Sequence, residues 1–323
     1  MGHEVVVELV RSGIVEGRHH GTVIATDADG ELSWAVGDAD AVLLPRSCNK
    51  PLQAAAMVRA GLDLPPHLLA LAAASHSGED FHVDGVREIL GRAGLDETAL
   101  RNPTDWPLDR EQERALVRAG GAPTRVHMNC SGKHAAMLLT CVVNRWPLDG
   151  YLQPAHPLQA HIRAVFAELT GAPVGHDAVD GCGAPLLGTS ALGLARAFRA
   201  LVVSEPASPE GRVAAAIAAH PTYVSGSRRD EVRFLRALPG AIGKFGAEGC
   251  HVLALPDGRA FVVKIDDGGD RARPIALAAA LERSGVLAEQ GVDAEALRTL
   301  ARADLAGGSA VVGEIRPASA LLG

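Results

Sequence analysis

The segment Pro45-Arg46-Ser47-Cys48-Asn49-Lys50-Pro51 places a serine hydroxyl three residues before a lysine amine. Residues three apart share one face of a helix, so Lys50 is within reach of the Ser47 hydroxyl. Pro51 suits a first helical turn, where its missing N–H costs little, so the pair is predicted at a helix mouth. The positive end of the helix dipole disfavours an ammonium there and favours a developing oxyanion. A neutral lysine can then take the serine proton, which is the chemistry of a serine–lysine nucleophile. The motif is short, and an N-capping serine followed by a solvated lysine has the same spelling, so it needs company.

Company is present in four further stretches. Ser75-His76-Ser77-Gly78-Glu79 offers two hydroxyls that can relay a proton or hold a substrate amine, or simply cap the next helix. Lys264 interrupts the apolar strand Phe261-Val262-Val263-Lys264-Ile265, on the face opposite Val263 and Ile265, or else it points outward from a half-solvated sheet. Met128-Asn129-Cys130-Ser131-Gly132-Lys133-His134 precedes an apolar helix, and Asp180-Gly181-Cys182-Gly183-Ala184-Pro185 is a glycine-rich turn with a carboxylate and a thiol. Two thiols on separate loops can hold a soft ion such as zinc, although spacing alone favours buried, inert thiols. Ser131-Gly132-Lys133 lacks the upstream glycine of a phosphate-binding loop, which excludes nucleotide binding there. His19 and His20 read as surface residues at a turn, and Cys48, Cys141 and Cys250 as packed thiols.

These residues need elements to position them. Valine-rich alternation predicts strands at Glu4–Val10, Gly21–Thr26 and Leu32–Val36, with Asp27-Ala28-Asp29-Gly30 as a hairpin turn. Helical periodicity then predicts Leu52–Ala60, Pro66–Ala74, Val83–Ala93, Arg110–Ala119, Gly132–Asn144, Pro157–Thr170 and Gly188–Phe198. Pro206–Ala219 and Arg228–Leu238 extend the helical region. Strands return at Gly249–Leu255 and Ala260–Asp266 around the turn Pro256-Asp257-Gly258, followed by helices Arg271–Ser284 and Ala294–Ala303 and a strand at Ala310–Ile315. Strands at both ends and helices between them predict an α+β fold: one antiparallel sheet built from the two terminal regions, with a helical lobe over roughly 51–240 inside a single domain.

Composition narrows the function. Of 323 residues, 47% are hydrophobic and 21% charged, which is ordinary for a chain with a sizeable core; aromatics are only 3%, so Ala, Leu and Val must build it. A net charge of −7 without a basic stripe argues against nucleic acid as a partner. Glu4, Glu8 and Arg11 make the first residues a strand and not a signal peptide, and the apolar run near Leu68–Ala74 is too short to span a bilayer. An odd number of cysteines, five, fits reduced thiols in the cytoplasm.

Arg46-Ser47…Lys50-Pro51, Ser75-His76-Ser77-Gly78-Glu79, Cys130-Ser131-Gly132-Lys133-His134, Asp180-Gly181-Cys182-Gly183 and Lys264-Ile265-Asp266-Asp267-Gly268 together resemble the L-asparaginase II family, the rhizobial-type inducible asparaginases. The resemblance runs from the first strand to the last. It implies a fold similar to serine β-lactamases and glutaminases, and hydrolysis of the side-chain amide of L-asparagine to aspartate and ammonia in a cytoplasmic homodimer. It also implies that Ser47 is the nucleophile and Lys50 its base. Ser77 and Lys264 would form a second serine–lysine pair, Ser77 being preferred to Ser75. Burial and two neighbouring amines would together bring an amine into working range. Cys130, Lys133 and Cys182 are implied as zinc ligands, with Asp180 beside them; a lysine ligand must be neutral, which an adjacent cation enforces. Arg46, His134 and Cys250 match positions near the family's site, Arg46 and His134 as substrate contacts together with Asp180. Two other readings remain: a penicillin-binding or β-lactamase-like hydrolase, which nitrocefin turnover would reveal, and a non-catalytic zinc or amino-acid binder. Against the first, Lys264 is followed by Ile265-Asp266 and not by Thr-Gly, and no Ser-Asp-Asn stretch is present.

Overall fold

The computed structural model describes residues 4–323. Its strands are β1 (Glu4–Arg11), β2 (Ile14–Thr26), β3 (Leu32–Val36), β4 (Val42–Leu43), β5 (His176–Val179), β6 (Pro185–Ser190), β7 (Ile242–Gly246), β8 (Cys250–Ala254), β9 (Ala260–Ile265), β10 (Ala303–Gly307) and β11 (Ala310–Pro317). The chain divides into two compact units: the residues up to Cys48 with Thr189–Val203 and Arg233–Gly323, and Asn49–Gly188 with Ser204–Val232.

The first unit is a sheet of order β10-β11-β1-β2-β9-β8-β7, antiparallel throughout, with β3 also paired to β2. Both terminal regions supply strands, as the alternating ends of the sequence predict. β9 lies near the middle and is apolar on both faces except at Lys264. Phe261, Val263 and Ile265 join Val23 and Leu253 in a core with Ile275, Leu277 and Leu281 of helix Arg273–Arg283. Each such buried side chain contributes about 1.5–3 kcal/mol. Helix Ala191–Val203 packs on β2, β8 and β9.

The second unit is helical. Helix Lys50–Arg59 packs on Pro157–Thr170 and Pro209–Ala219, and Ser131–Asn144 packs on Pro66–Ala72 and Asp80–Arg92. Ala54, Ala55 and Ala56, all fully buried, let the neighbouring backbones approach closely. Prolines stand in the first turns of four of these helices (Pro51, Pro66, Pro157 and Pro209), where no intrahelical N–H is lost. Arg59 binds Glu168 through both terminal nitrogens, at 2.7 and 2.9 Å, and Glu210 through Nε at 2.6 Å, so one side chain ties three helices.

Three expectations are corrected, and one strand is new. The helix predicted from Gly188 begins at Ala191, because Pro185–Ser190 pairs as a strand with β5 in the second unit and, through Thr189 and Ser190, with β4 in the first. The helix predicted through Ala303 ends at Leu300, and Ala303–Gly307 pairs with β11 instead. β7 was not predicted at all, since glycines at Gly243 and Gly246 break its pattern. His19 is buried (4% exposed) and not a surface residue: its Nδ1 lies 2.6 Å from Asp267 Oδ2, and its Nε2 accepts from Arg271 Nε at 3.0 Å.

Candidate active site

Ser47 sits half-buried in a tight turn, Arg46–Asn49, that leads straight into helix Lys50–Arg59. The helix mouth predicted from Pro51 is therefore present. Arg46, directly before Ser47, has φ +51°, a left-handed conformation that costs a non-glycine residue about 1–3 kcal/mol. Glu248 has φ +58° and accepts from Arg46 Nη1 at 3.4 Å. The turn is braced by β7. A Cβ at Gly246 would stand 2.5 Å from the Pro45 carbonyl oxygen and 3.2 Å from the Ser47 nitrogen, so only glycine allows this approach. The Cys48 thiol donates to the Lys244 carbonyl at 3.0 Å and lies 3.6 Å from the Cys250 sulfur.

In the first unit a cavity of about 370 Å³ is lined by Thr22, Asp38, Arg46, Glu248, Lys264 and Asp266 together with the apolar segment Ala41–Leu44. Alternation places Lys264 on the face opposite Val263 and Ile265, as the sequence predicts. Its amine donates to the Ile265 carbonyl at 2.6 Å and the Glu248 carbonyl at 2.8 Å. Sequence reasoning missed Lys244, which is fully buried in β7 with its amine 3.1 Å from the Phe245 carbonyl and 4.3 Å from the Phe245 ring centre. The available signal was a lysine inside Ile242-Gly243-Lys244-Phe245-Gly246, an otherwise uncharged segment.

In the second unit Lys50 is 1% exposed, and its amine donates to the Ala74 carbonyl at 2.6 Å and the Ser75 hydroxyl at 2.9 Å. Of the two candidate serines, Ser75 therefore meets Lys50. Ser77 donates to the Ser225 carbonyl at 2.8 Å and is closed over by Gly226, whose φ of +139° and close approach to Ser77 exclude a side chain. Between them His76 is fully buried. Its Nδ1 accepts from the Gly78 N–H at 3.2 Å, so the proton is on Nε2, which reaches the Ser131 hydroxyl at 2.8 Å; Ser131 in turn donates to the Val126 carbonyl. Burial, more than the nearby His82 and Lys50, drops His76 well below the usual histidine range and keeps it neutral.

The same unit gathers Cys130, Lys133, His134 and Cys182. Lys133 Nζ lies 3.1 Å from Cys182 Sγ, and Cys130 packs with Cys182, Met128 and Ala184. The Cys130 thiol bonded to Cys182, ahead of the Lys133 and His134 contributions, pulls the Cys182 thiol far below its ordinary range despite burial. Its partner Cys130 moves up for the same reason, helped by desolvation. Burial opposes the Lys133 ammonium, yet Cys182, Cys130 and Asp180 hold it above the usual lysine range. His134 is fully buried and lowered by that burial. Tyr151 OH accepts from the Arg101 N–H, so its proton goes to His134 Nδ1 at 2.8 Å. Asp180 accepts from the Gly181 N–H at 2.9 Å, with Cys182 Sγ 3.9 Å away. Among the described residues no three of His, Cys, Asp and Glu gather as a metal group, so a metal here needs Lys133 as its third donor. Two sulfurs and an amine, buried together, suit a borderline-soft ion such as zinc better than a hard one. Binding would displace protons from Lys133 and Cys130.

The family that the chain matches over most of its length defines an amidohydrolase of the asparaginase type. The family model for L-asparaginase II matches residues 7–317, and the chain belongs to that family. A comparison with curated proteins finds no match. Among solved structures, the chain is similar to a β-lactamase (Mb2281c) from Mycobacterium bovis, at 17% identity and a TM-score of 0.46, covering 81% of this chain and 94% of that one. It is similar to EstCE1, a hydrolase with promiscuous acyltransferase activity (12% identity, TM-score 0.39, 92% of each chain), and to a simvastatin synthase from Aspergillus terreus (12%, 0.37, 76% of this chain and 86% of that one).

Proposed function

We propose that the protein hydrolyses the side-chain amide of L-asparagine, with Ser47 as nucleophile and Lys50 as its base. The observation that carries the reading is the Lys50 amine, buried at the helix mouth three residues after Ser47 and hydrogen-bonded to the Ser75 hydroxyl. Ser47 Oγ attacks the carboxamide carbon while Lys50 takes its proton. Backbone N–H groups at the start of helix Lys50–Arg59 receive the oxyanion. Collapse of the intermediate breaks the C–N bond, and a proton returned through Lys50 and Ser75 lets ammonia leave. Water, deprotonated by the same amine, then cleaves the aspartyl ester.

Ser75, bonded to Lys50, takes the relay part in place of Ser77, which donates to the Ser225 carbonyl. Lys264 stays in the reading as the cation on the cavity wall, with Arg46, where the substrate carboxylate binds. His134 and Asp180 orient the Cys130–Lys133–Cys182 cluster. A zinc ion held by Cys130, Lys133 and Cys182 would polarise a substrate oxygen and fix its orientation. The resemblance adds a cytoplasmic homodimer. Incubation with L-asparagine and direct measurement of ammonia tests the function. The expected result is stoichiometric aspartate and ammonia; release no faster in the wild type than in Ser47→Ala would overturn it.

A further inference from the structure

Two thiols outside this chemistry stand beside it. Cys48 follows Ser47 in the chain, and Cys250 lies on β8 opposite Lys264 of β9 and Gly246 of β7. Both are fully buried, and their sulfurs are 3.6 Å apart. All five cysteines of the protein are in the thiol form. Packing between small apolar residues would fill this space equally well, and nothing in the proposed reaction uses either sulfur. What two thiols add is a bond that can be made and unmade.

The geometry points to Cys48 and Cys250 as a redox pair: oxidation by hydrogen peroxide joins them in a disulfide and withdraws Ser47 from its working position. One thiolate attacks a peroxide oxygen, the O–O bond breaks, and hydroxide leaves a sulfenic acid behind. The second thiolate attacks that sulfur, the S–O bond breaks, and a second hydroxide leaves. The two thiol protons convert both hydroxides to water, so two thiols are oxidised by one peroxide, which is reduced to two waters.

The step has a mechanical consequence. A disulfide needs its sulfurs at about 2.05 Å, so the 3.6 Å gap must close by roughly 1.5 Å. Cys250 is held in a ladder between two strands, paired with Gly246 and Lys264. Cys48 belongs to a short turn whose Arg46 is already in a left-handed conformation. The turn is the softer partner, and it carries Ser47. Closing the bond also removes the Cys48 thiol from the Lys244 carbonyl. A displacement of about 1 Å at a nucleophile costs on the order of 10²-fold in rate. Burial of both sulfurs limits the reaction to small oxidants or to moments when the turn opens.

The loss of activity rests on the function proposed above; the bond itself does not. The test treats the purified full chain with excess hydrogen peroxide, maps its peptides without reduction, and measures ammonia release before oxidation, after it, and after dithiothreitol. The expected result is a Cys48–Cys250 linked peptide, a fall in rate on the order of 10²-fold, and recovery on reduction. Cys250→Ala should keep its own starting rate through the same treatment while Cys130 and Cys182 remain available. Unlinked Cys48 and Cys250, a linked pair with unchanged rate, or equal peroxide sensitivity in Cys250→Ala would each overturn the proposal. A reduced protein with no asparaginase activity removes the proposed function instead, and peptide mapping still decides whether the two thiols are a redox pair.

Discussion

At the scale of single residues, the proposed site joins a half-buried Ser47 to a buried Lys50 whose amine has two partners, the Ala74 carbonyl and the Ser75 hydroxyl. Ser47→Ala should abolish ammonia release with an unchanged circular dichroism spectrum, because it removes the only proposed nucleophile. Lys50→Met keeps the length and burial of the side chain while removing the amine, and should lower kcat by about 10²–10⁴-fold, the usual contribution of a positioned base. The serines give a sharper comparison. Ser75 accepts from Lys50, whereas Ser77 donates to a main-chain carbonyl. Ser75→Ala is therefore expected to reduce kcat much more than Ser77→Ala, whose effect should fall mainly on stability, at about 1–3 kcal/mol for the carbonyl left without a donor. Steady-state kinetics on both variants decide the matter, and the reverse order would return the relay to Ser77.

At the scale of elements, two devices hold these residues. The first is the close approach of β7 to the nucleophile turn. Gly246→Ala would drive a methyl group into the Pro45 carbonyl oxygen, so the strand or the turn must move. Overpacking of this kind costs about 1–3 kcal/mol, and here part of the movement falls on Ser47. A large loss of kcat with only a modest drop in melting temperature is expected; full activity would show that the turn does not depend on β7. The second device is the start of helix Asp80–Arg92, where Glu79 and His82 form a reciprocal cap and His82 Nε2 reaches the Thr222 carbonyl at 2.9 Å. Burial drops His82 to about 4, against partial support from the Thr222 carbonyl, and His76 also lies low. Both values are below those of the unfolded chain. Their stability contribution is thus fully present above about pH 6.5, and is lost as pH falls towards the folded values. For His82 alone the difference is about 3 kcal/mol. Urea midpoints should fall steeply between pH 6.5 and pH 4, and His82→Gln should flatten the slope. An equally steep slope in that variant would place the acid sensitivity elsewhere.

At the scale of the whole molecule, the proposed zinc site is where ligand binding would couple to folding. Cys130 and Lys133 stand at the start of helix Ser131–Asn144 and Cys182 on a separate turn, and they are gathered only in the folded helical unit, so an ion bound to them would stabilise the fold by mass action. Elemental analysis should find zinc. Chelation should lower the melting temperature, by an amount corresponding to about 2.7 kcal/mol when the free ion stands a hundredfold above Kd. Cys182→Ala should abolish that chelator response and raise KM more than it lowers kcat, as expected for an ion that orients substrate. A melting temperature indifferent to both chelator and zinc would leave the cluster as an ammonium–thiolate pair. Among the described residues no helix is long and apolar enough to cross a membrane.

Much of this was present in the sequence for a physical reason. Strand alternation at both ends and helical periodicity between them are local consequences of burying one face, so the α+β sheet and most helices could be read directly. Ser47 and Lys50 are three residues apart, and Pro51 marks the helix start; that placement is local too. The resemblance to the L-asparaginase II family rests on short ordered motifs, which a single chain displays in full. What sequence could not decide were contacts between segments far apart in the chain. Which serine meets Lys50 depends on the route of the loop after helix Pro66–Ala72, and both serines are two residues apart with equal chemistry. Lys244 became a buried amine only because β7 pairs with β8 at the sheet edge, a long-range register that its glycines conceal. His19 became buried through Asp267 and Arg271, some 250 residues away. Cys48 and Cys250 likewise carry no spacing signal, since 202 residues separate them. Only the tertiary fold brings their sulfurs together, because pairing across a sheet depends on register, and register is a property of the whole assembly of strands.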